Sequence, residues 1–283
     1  MLNGCAYILT VDVGNTFIRF GLFAEDSATA QECPLATCEI TTPSSITADE
    51  ARMRLAQVMG ALAADAGMPG ALVPAAAVLS CVVPALERPW KAALSRTCTG
   101  RVLTVGPGLK TGMPVHYDDP AEIGPDRIAD AVAARAVYGS PCIVIDLGTT
   151  TNIEVIDARG TFVGGVIAPG LALGARSLSA AAARLPQVEP SAPTHVIGRN
   201  TREARRSGVV LGEVARIDGM LDMVLAEMRS TKAAGEGSVP IVITGDDAEA
   251  LAALVGHSLT VDDALTLRGL AELYRINRKP RRA

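Results

Sequence analysis

Short apolar runs alternate along the chain with longer segments in which apolar residues recur at helical spacing. Runs typical of strands lie at 7–23, where a strand, a turn and a second strand follow one another, and at 35–41, 75–83, 142–146, 161–167 and 240–244. Segments typical of helices lie at 45–67, 86–96, 125–138, 171–184, 247–255 and 262–276. Strands that alternate with helices of this length predict an α/β fold.

Three of the predicted helices have a recognisable start. Thr47 is followed three residues later by Glu50, which is the spacing of a capping box. Asn200 is a good N-cap residue for a helix that begins at Thr201. Pro125 suits a first helical turn, because its missing N–H would have no partner there.

Two of the apolar strands end in closely similar sequences. The first strand runs into Asp12-Val-Gly14-Asn15-Thr16, and the strand at 142–146 runs into Asp146-Leu-Gly148-Thr149-Thr150. The two aspartates are separated by 146 − 12 = 134 residues in a chain of 283. This repeat predicts a duplicated domain whose halves each present a carboxylate and a glycine turn.

The residue types in the repeat suit a triphosphate. A glycine after a strand lets backbone N–H groups approach phosphate oxygens, and a threonine hydroxyl can join them. A carboxylate beside a triphosphate needs a cation between them, so Asp12 and Asp146 indicate bound Mg²⁺ or a monovalent ion. The alternative is ordinary hairpin-turn chemistry, which would explain either copy alone. The presence of both copies favours a nucleotide triphosphate as the ligand.

The chain length fits two domains. A chain of 283 residues and 29.2 kDa can form two domains of about 140 residues each, which is a usual domain size. Gly139-Ser-Pro141 interrupts the pattern directly before the second copy of the repeat. The predicted domains are therefore 1–138 and 139–283.

Charge and composition exclude some classes of function. The net charge of −4 and the pI near 5.5 argue against a nucleic-acid-binding surface, which needs clustered Lys and Arg. The basic run at 275–282 is interpreted as a solvated, frayed tail. No apolar stretch approaches the roughly 20 residues that cross a membrane, and six cysteines without a Cys-x-x-Cys pair fit a reducing cytoplasm.

Other nucleotide-binding motifs are missing. Gly106-Pro-Gly108-Leu-Lys110-Thr111 has leucine where a Walker motif needs glycine before the lysine, and no Gly-x-Gly-x-x-Gly follows a first strand. If this protein binds a nucleotide, it therefore does so through the repeated hairpins.

These motifs together resemble those of type III pantothenate kinases, which belong to the actin-like ATPase superfamily. The resemblance covers nearly the whole chain and depends on several motifs in the family's order. They are Asp12-Val-Gly14-Asn15-Thr16, Leu79-Ser-Cys-Val-Val-Pro84, Tyr117-Asp-Asp-Pro120, Gly124-Pro-Asp126-Arg127, Asp146-Leu-Gly148-Thr149, Gly164-Gly-Val-Ile-Ala-Pro169-Gly170 and Gly198-Arg-Asn200-Thr201.

The resemblance implies a fold, an activity and a set of partners. The fold would be two duplicated ribonuclease-H-like domains with a nucleotide cleft between them. The activity would be phosphoryl transfer from ATP to the primary hydroxyl of pantothenate, the first step of coenzyme A synthesis. The implied cofactors are ATP with Mg²⁺ and a monovalent cation, K⁺ or NH₄⁺. The implied protein is a cytoplasmic homodimer with neither nucleic acid nor membrane as a partner.

The resemblance also implies roles for particular residues. Asp126 would be the proton acceptor, with Arg127 beside it as a ligand of substrate and phosphate. The pantothenate contacts would be Tyr117, Gly124, Pro125, Asp126, Arg127 and Thr201. The ATP contacts would be Asp12, Gly14, Asn15, Thr16, Arg19, Gly148 and Thr149. The cation sites would be Asp146 and Asp12.

Elementary chemistry agrees with the role of Asp126. Phosphoryl transfer needs positioning, charge neutralisation and one base near the attacking hydroxyl. A carboxylate in a first helical turn is expected to stay ionised at neutral pH and to be a weak base, so alignment would matter more than basicity. The alternative for Asp126-Arg127 is a plain charged helix start.

The sequence departs from the family pattern at two places, and the first of them leaves other functions open. Thr244-Gly245-Asp246-Asp247 has a carboxylate where the family commonly has a second glycine, and Asp119 replaces a common asparagine. A nucleotide-binding regulator with weak turnover is therefore an alternative hypothesis. A superfamily hydrolase, or a kinase for another hydroxylated substrate, is a further one.

Overall fold

The computed structural model describes residues 6–68, 72–181 and 191–278. The chain forms two compact units. Unit 1 contains the residues up to Val137 together with those from Ala264 onward, and unit 2 contains Tyr138–Asp263. The sequence analysis places the boundary at 138/139, whereas unit 2 of the structure begins at Tyr138 and the C-terminal segment from Ala264 groups with unit 1.

Unit 1 is a five-stranded sheet with helices on both faces. Its strands are β1 (Tyr7–Val13), β2 (Phe17–Ala24), β3 (Ala36–Thr41), β4 (Ala76–Cys81) and β5 (Val102–Thr104). Its helices are α1 (Ala48–Asp65), α2 (Pro84–Thr97) and α3 (Pro125–Tyr138), joined by the C-terminal helix α7 (Leu265–Asn277). The strand order across the sheet is β3-β2-β1-β4-β5.

Unit 2 repeats this arrangement. Its strands are β6 (Cys142–Leu147), β7 (Thr150–Ile156), β8 (Phe162–Pro169), β9 (Ile241–Gly245) and β10 (Thr260–Val261). Its helices are α4 (Leu171–Ala181), α5 (Thr201–Ser230) and α6 (Ala248–Ala252). The order β8-β7-β6-β9-β10 is the order of unit 1 repeated strand for strand, so the predicted duplication is confirmed.

The alternation of side chains along the central strands decides where the two aspartates point. Leu9, Val11 and Val13 of β1 pack into the core with α1 and α2, so Asp12 faces the opposite side of the sheet. In unit 2, Ile143 and Ile145 pack into the core that α5 covers, so Asp146 likewise faces away from that core. Both carboxylates are thus kept out of the main hydrophobic clusters.

Helix α7 is held in unit 1 by hydrogen bonds and by close packing. Arg268 donates to the carbonyl of Ala30 at 2.7 Å, and Tyr274 donates to Glu25 at 2.7 Å. Gly269 allows α7 to approach α3, because a Cβ there would lie 1.9 Å from the carbonyl oxygen of Ala129. These contacts explain why the end of the chain belongs to unit 1.

The three helix starts predicted from the sequence are confirmed. Thr47 and Glu50 form both bonds of the capping box, and Asn200 accepts the backbone N–H of Glu203 at 2.9 Å. Helix α3 begins at Pro125 as predicted. The sequence predicts no strand after 240–244, but the structure has one more, β10, which pairs with β9.

Some predictions lie outside the described residues. These are the end of the helix predicted at 171–184, most of the loop after it, Cys5 and the last residues of the basic run at 275–282. Within the described parts of the chain, no helix is long and apolar enough to cross a membrane.

Candidate active site

Asp12 is a buried carboxylate at the end of the central strand of unit 1. It lies opposite Arg19 on β2 and beside Ser80 on β4, and it is only 8% exposed. Its Oδ1 has no hydrogen-bond partner among the described residues. An acceptor in this position is suited to a cation or a donor supplied by a ligand.

Burial and a neighbouring charge perturb this carboxylate. The pKa of Asp12 is raised from 3.8 to about 6, mainly by burial and then by the negative charge of Asp126, while Ser80 and Arg19 act in the opposite direction. The Ser80 hydroxyl is near enough to lower this pKa, although its geometry falls short of a hydrogen bond. The structure therefore brings Asp12 and Asp126 close together, as the sequence could not establish.

The turn after Asp12 is closed by backbone contacts. The N–H of Gly14 donates to the carbonyl of Phe17 at 2.9 Å, and a Cβ on Gly14 would lie 3.0 Å from that same oxygen. Thr42 fixes the turn from outside, since its hydroxyl donates to the carbonyl of Gly14 at 2.7 Å. Asn15 and Thr16 are exposed at the tip. Sequence reasoning missed Thr42, which follows β3 with no motif of its own.

Arg19 is oriented by a second residue that the sequence did not indicate. Its Nε donates to Glu39 at 2.9 Å across the β2–β3 pair, and its guanidinium lies 5.9 Å from the centre of the Phe17 ring. The pair is partly exposed, so it contributes little to folding stability. Its effect is to hold a positive charge on the strand position that faces Asp12.

The Gly-x-Asp-Arg motif forms the first turn of α3. The carboxylate of Asp126 folds back and accepts the backbone N–H of Arg127 at 2.8 Å. A Cβ on Gly124 would lie 2.4 Å from Asp126 Oδ1, so glycine leaves the space that this carboxylate occupies. Arg127 is buried, at 5% exposure.

The sequence predicted that Asp126 is a weak base, but the structure shows surroundings that raise the pKa of this carboxyl group. Burial raises the pKa of Asp126 above its ordinary value, and the N–H and the positive charge of Arg127 lower it by less. Burial therefore outweighs the helix N-terminus, because removing water penalises the charged form. Asp126 is a stronger base than its position in the helix alone predicts.

A cavity of about 410 Å³ lies beside the start of α3. Pro125 and Ile128 line it from the helix, Cys81 lines it from β4, and the loop at 105–113 forms much of its wall. Its volume is in the range of small-molecule sites. The motif that carries Asp126 thus borders a space large enough for an organic substrate.

The C-terminal helix fixes the loop that walls this cavity. Asn277 accepts the backbone N–H of Lys110 at 3.1 Å and donates to the carbonyl of Lys110 at 2.7 Å. Arg135 of α3 donates to the carbonyl of Gly112. The loop at 106–111, which lacks a Walker motif, therefore has a defined conformation set by tertiary contacts.

Tyr117 and Asp119 lie on the segment that leads to this motif. Tyr117 is half-buried. Asp119 caps the short 3₁₀ turn at 120–122, because its Oδ1 accepts the backbone N–H of Ala121 at 2.9 Å. The aspartate that departs from the family pattern thus has a local structural role.

The second hairpin, in unit 2, is closed in a similar way. Asp146 lies opposite Asn152 on β7 and beside Thr244 on β9. The N–H of Gly148 donates to the carbonyl of Thr150 at 2.9 Å. A Cβ on Gly170 would lie 2.1 Å from the carbonyl oxygen of Gly148, so only glycine permits this approach.

The departure at Thr244-Gly245-Asp246 lies directly beside this hairpin. Gly245 has a φ of +91°, and a Cβ there would lie 2.1 Å from the carbonyl oxygen of Leu147. The N–H of Asp246 donates to that oxygen at 2.6 Å. The extra carboxylate is therefore attached to a tightly held turn.

Thr201 belongs to unit 2, where it is the first residue of α5 and is exposed. The residues predicted to surround the reacting groups are thus divided between the units. Asp12, Arg19, Asp126 and Arg127 belong to unit 1, and Asp146, Thr149 and Thr201 belong to unit 2.

Solved structures with a similar fold include a Baf family transcriptional activator from Campylobacter jejuni, with a TM-score of 0.56, 18% identity and coverage of 95% of this chain and 98% of that one. The ethanolamine utilization protein EutJ from Carboxydothermus hydrogenoformans has a TM-score of 0.53 and 16% identity, over 94% of this chain and 89% of that one. Two units of one topology, each with a glycine hairpin after a strand-terminal aspartate, confirm the predicted duplicated α/β fold.

Sequence comparison identifies the family. Residues 8–223 match the family described as type III pantothenate kinase. A type III pantothenate kinase 2 of Symbiobacterium thermophilum is 39% identical over 270 residues, covering 94% of this chain and 96% of the relative. A type III pantothenate kinase of Nocardia farcinica is also 39% identical, covering 97% of this chain and 99% of the relative. The chain belongs to the type III pantothenate kinase family.

Replacing Gly124 with alanine tests the placement of Asp126. The new Cβ would displace the carboxylate, so we expect Gly124→Ala to lower kcat by about tenfold or more, within the range lost when a general base is misplaced. The thermal midpoint should change little. Gly60→Ala is the control, because a Cβ there meets nothing within 4 Å. An unchanged kcat in Gly124→Ala would remove this steric argument.

The pH dependence of stability tests the environment of Asp12. The folded-state pKa of about 6 exceeds the ordinary 3.8, so this group stabilises the fold most below pH 3.8 and loses that contribution as the pH rises through 6. The loss is about 3 kcal/mol. We expect Asp12→Asn, without ligands, to flatten the unfolding free energy between pH 4 and 7 and to be the more stable protein at pH 7. Chemical denaturation across this range is the measurement, and parallel curves for both proteins would contradict the burial argument.

Proposed function

We propose that this protein transfers the γ-phosphoryl group of ATP to the primary hydroxyl of pantothenate, giving 4′-phosphopantothenate in the first step of coenzyme A biosynthesis. Membership of the type III pantothenate kinase family supports the reaction. The observation that carries the assignment of the site is the buried first turn of α3, where Asp126 lies beside Arg127 and within electrostatic reach of Asp12.

Asp126 accepts the proton of the attacking hydroxyl. Its pKa is raised by burial, and one carboxylate oxygen is already held by the N–H of Arg127, so the group has a fixed orientation. A positioned general base contributes about 10²–10⁴-fold to a rate. The buried guanidinium of Arg127 can hold the substrate carboxylate or the transferred phosphoryl group, since it presents a rigid fork of donors.

Pantothenate occupies the cavity beside α3. The cavity is bordered by Pro125 and Ile128, and the preceding segment places Tyr117 near the same motif in the sequence. Thr201 of unit 2 is proposed as a further pantothenate contact on the resemblance alone. A pocket with mainly apolar walls is typical of small-molecule sites.

The two hairpins hold the phosphates and their cations. In unit 1, the turn at Gly14, Asn15 and Thr16 binds phosphate oxygens, with Arg19 adding a positive charge. In unit 2, Gly148 and Thr149 do the same, and Asp146 holds the monovalent cation. The unpaired, buried Oδ1 of Asp12 fits a site for Mg²⁺ bound with ATP. When bound, these cations would neutralise charge on the phosphoryl groups.

Asp246 adds a negative charge beside the second hairpin, which favours a nucleotide-binding regulator as one alternative. A hydrolase, or a kinase with another acceptor, is a second alternative. A regulator with weak turnover would bind nucleotide and release little ADP. A hydrolase, or a kinase with another acceptor, would release ADP independently of pantothenate or only with that acceptor. Purified protein with ATP, Mg²⁺ and K⁺ distinguishes these cases when ADP release is compared with and without pantothenate.

The variant Asp126→Asn tests the proton acceptor. We expect it to fold normally and to reduce pantothenate-dependent ADP release by at least about a hundredfold, because the amide cannot accept the proton. Asp65→Asn, which changes an exposed carboxylate near the end of α1, is the matched control and should retain the wild-type rate. A wild-type rate in Asp126→Asn would remove Asp126 from the mechanism.

We further propose that the protein is a homodimer. Val196 and Ile197 are 73% and 83% exposed, and the segment that carries them is firmly held. Ser207 donates to the carbonyl of Val196 at 2.6 Å, and a Cβ on Gly198 would lie 2.1 Å from the backbone nitrogen of Ala204. Exposed apolar side chains on a rigid segment are suited to a subunit interface.

Sedimentation equilibrium tests the dimer. We expect a dimer for the wild type and a monomer for Ile197→Asp, because a charge buried at an interface without a partner is costly. Met53→Asp is the control, since Met53 is also exposed, at 58%, but lies on α1 of unit 1. A monomeric wild type would refute the proposal.

The free thiols of Cys81, Cys98 and Cys142 fit a reducing compartment, and we propose the cytoplasm.

A further inference from the structure

The two strand-terminal aspartates differ in what stands opposite them. In unit 1, the residue facing Asp12 on the antiparallel neighbour is Arg19, a permanent cation. In unit 2, the residue facing Asp146 is Asn152, which is neutral. The duplicated fold therefore supplies a positive charge within the protein at the first aspartate and a neutral amide at the corresponding place in the second.

Asn152 has a buried side-chain amide whose oxygen is not hydrogen-bonded by any described residue. It is 5% exposed, and its Oδ1 has no hydrogen-bond partner among the described residues. A buried oxygen without a partner is destabilising, because it has lost its hydrogen bonds to water. A bound ion or water is one of the partners that such a group finds in native proteins.

The register of the sheet places the Asn152 side chain on the same face as Asp146. Residues that stand opposite each other on antiparallel strands have side chains on one face, with Cβ atoms about 4.5–5.5 Å apart. Thr244 is aligned with Asp146 on the parallel strand β9, so its side chain projects on that face too. One carboxylate, one amide and one hydroxyl are thus placed together on the side away from the α5 core.

We propose that Asn152 is a ligand of the monovalent cation at Asp146, contributing its amide oxygen and setting the preference for an ion of low charge density. This inference rests on the proposed function of the unit 2 hairpin. Asn152 stands opposite Asp146 at the register position that Arg19 occupies opposite Asp12 in unit 1.

The donor set favours K⁺ or NH₄⁺ over a divalent ion. Among residues 6–68, 72–181 and 191–278, no group of three His, Cys, Asp or Glu side chains could hold a metal. Mg²⁺ loses its water reluctantly and demands strict octahedral geometry, so a buried amide oxygen is a poor substitute for its hydration shell. Neutral carbonyl-type oxygens readily replace the shell of K⁺. The ion would keep ligand positions for phosphate oxygens.

Thermal denaturation in KCl measures binding without relying on catalysis. Choline chloride keeps the ionic strength constant, so a rise of the midpoint with K⁺ reports a bound ion. We expect Asn152→Ala to need about tenfold more K⁺ than the wild type for the same rise, as is typical when a group around a metal is lost. Asn277→Ala, which removes an amide from unit 1, should keep the wild-type response to K⁺.

A second variant covers the case in which Asn152→Ala does not fold. Asn152→Asp keeps the shape and adds a negative charge beside Asp146, so we expect the midpoint to respond more strongly to Mg²⁺ and less selectively to K⁺. The activity assay should show a parallel change: about tenfold more K⁺ for half-maximal rate in Asn152→Ala, with kcat at saturating K⁺ within about threefold of the wild type.

The outcomes separate this inference from the proposed function. A wild-type K⁺ response in both Asn152 variants, or no K⁺ response in the wild type, overturns the role of Asn152 even if pantothenate-dependent ADP release is normal. A K⁺ response that weakens in Asn152→Ala supports the site even if pantothenate does not stimulate ADP release, a result that would overturn only the proposed reaction.

Discussion

The carboxylate that ends the central strand of each unit is the constraint on which the rest of the arrangement depends. A strand end at the centre of a sheet is shielded from water, so an aspartate there is destabilised in its charged form. Asp12 shows the effect directly, because burial raises its pKa to about 6. The nearby Arg19, Ser80 and α3 can be understood as the surroundings that make such a group tolerable and useful.

The burial of these groups is also what makes them chemically effective. Charges in a dry site interact more strongly than charges in water, and donors that are fixed in advance need no reorganisation. Asp126 is held by the N–H of Arg127, and the space it occupies exists because residue 124 is glycine. The Gly-x-Asp-Arg sequence is therefore one steric unit, in which the first residue determines where the third can point.

Much of this organisation could be predicted from the sequence. The duplicated aspartate and glycine turns, the capping box at Thr47 and the start of α3 at Pro125 are local features, and the structure contains each of them. The edge strands β5 and β10 were missed because three and two residues are too short to show a period. Both strands also lie in segments of the sequence that are rich in turn residues.

The rest depended on partners that are distant along the chain. Thr42 closes the first turn and Asn277 fixes the loop at Lys110, and no short motif surrounds either residue. The contrast between Arg19 and Asn152 needs the register of each hairpin, which hydrophobic patterning alone does not provide. The pKa of Asp126 needed the burial of its surroundings, which outweighs the local effect of the helix start.

The grouping of α7 with unit 1 has a consequence for biosynthesis. Unit 2 is continuous in sequence, whereas unit 1 needs residues from both ends of the chain. A ribosome releases the N-terminal part first, and domains generally fold as units while they emerge. The unit that is made earlier therefore needs a helix that is made after unit 2, so unit 2 can fold first, and the sheet that bears Asp12 is completed only after α7 has been made.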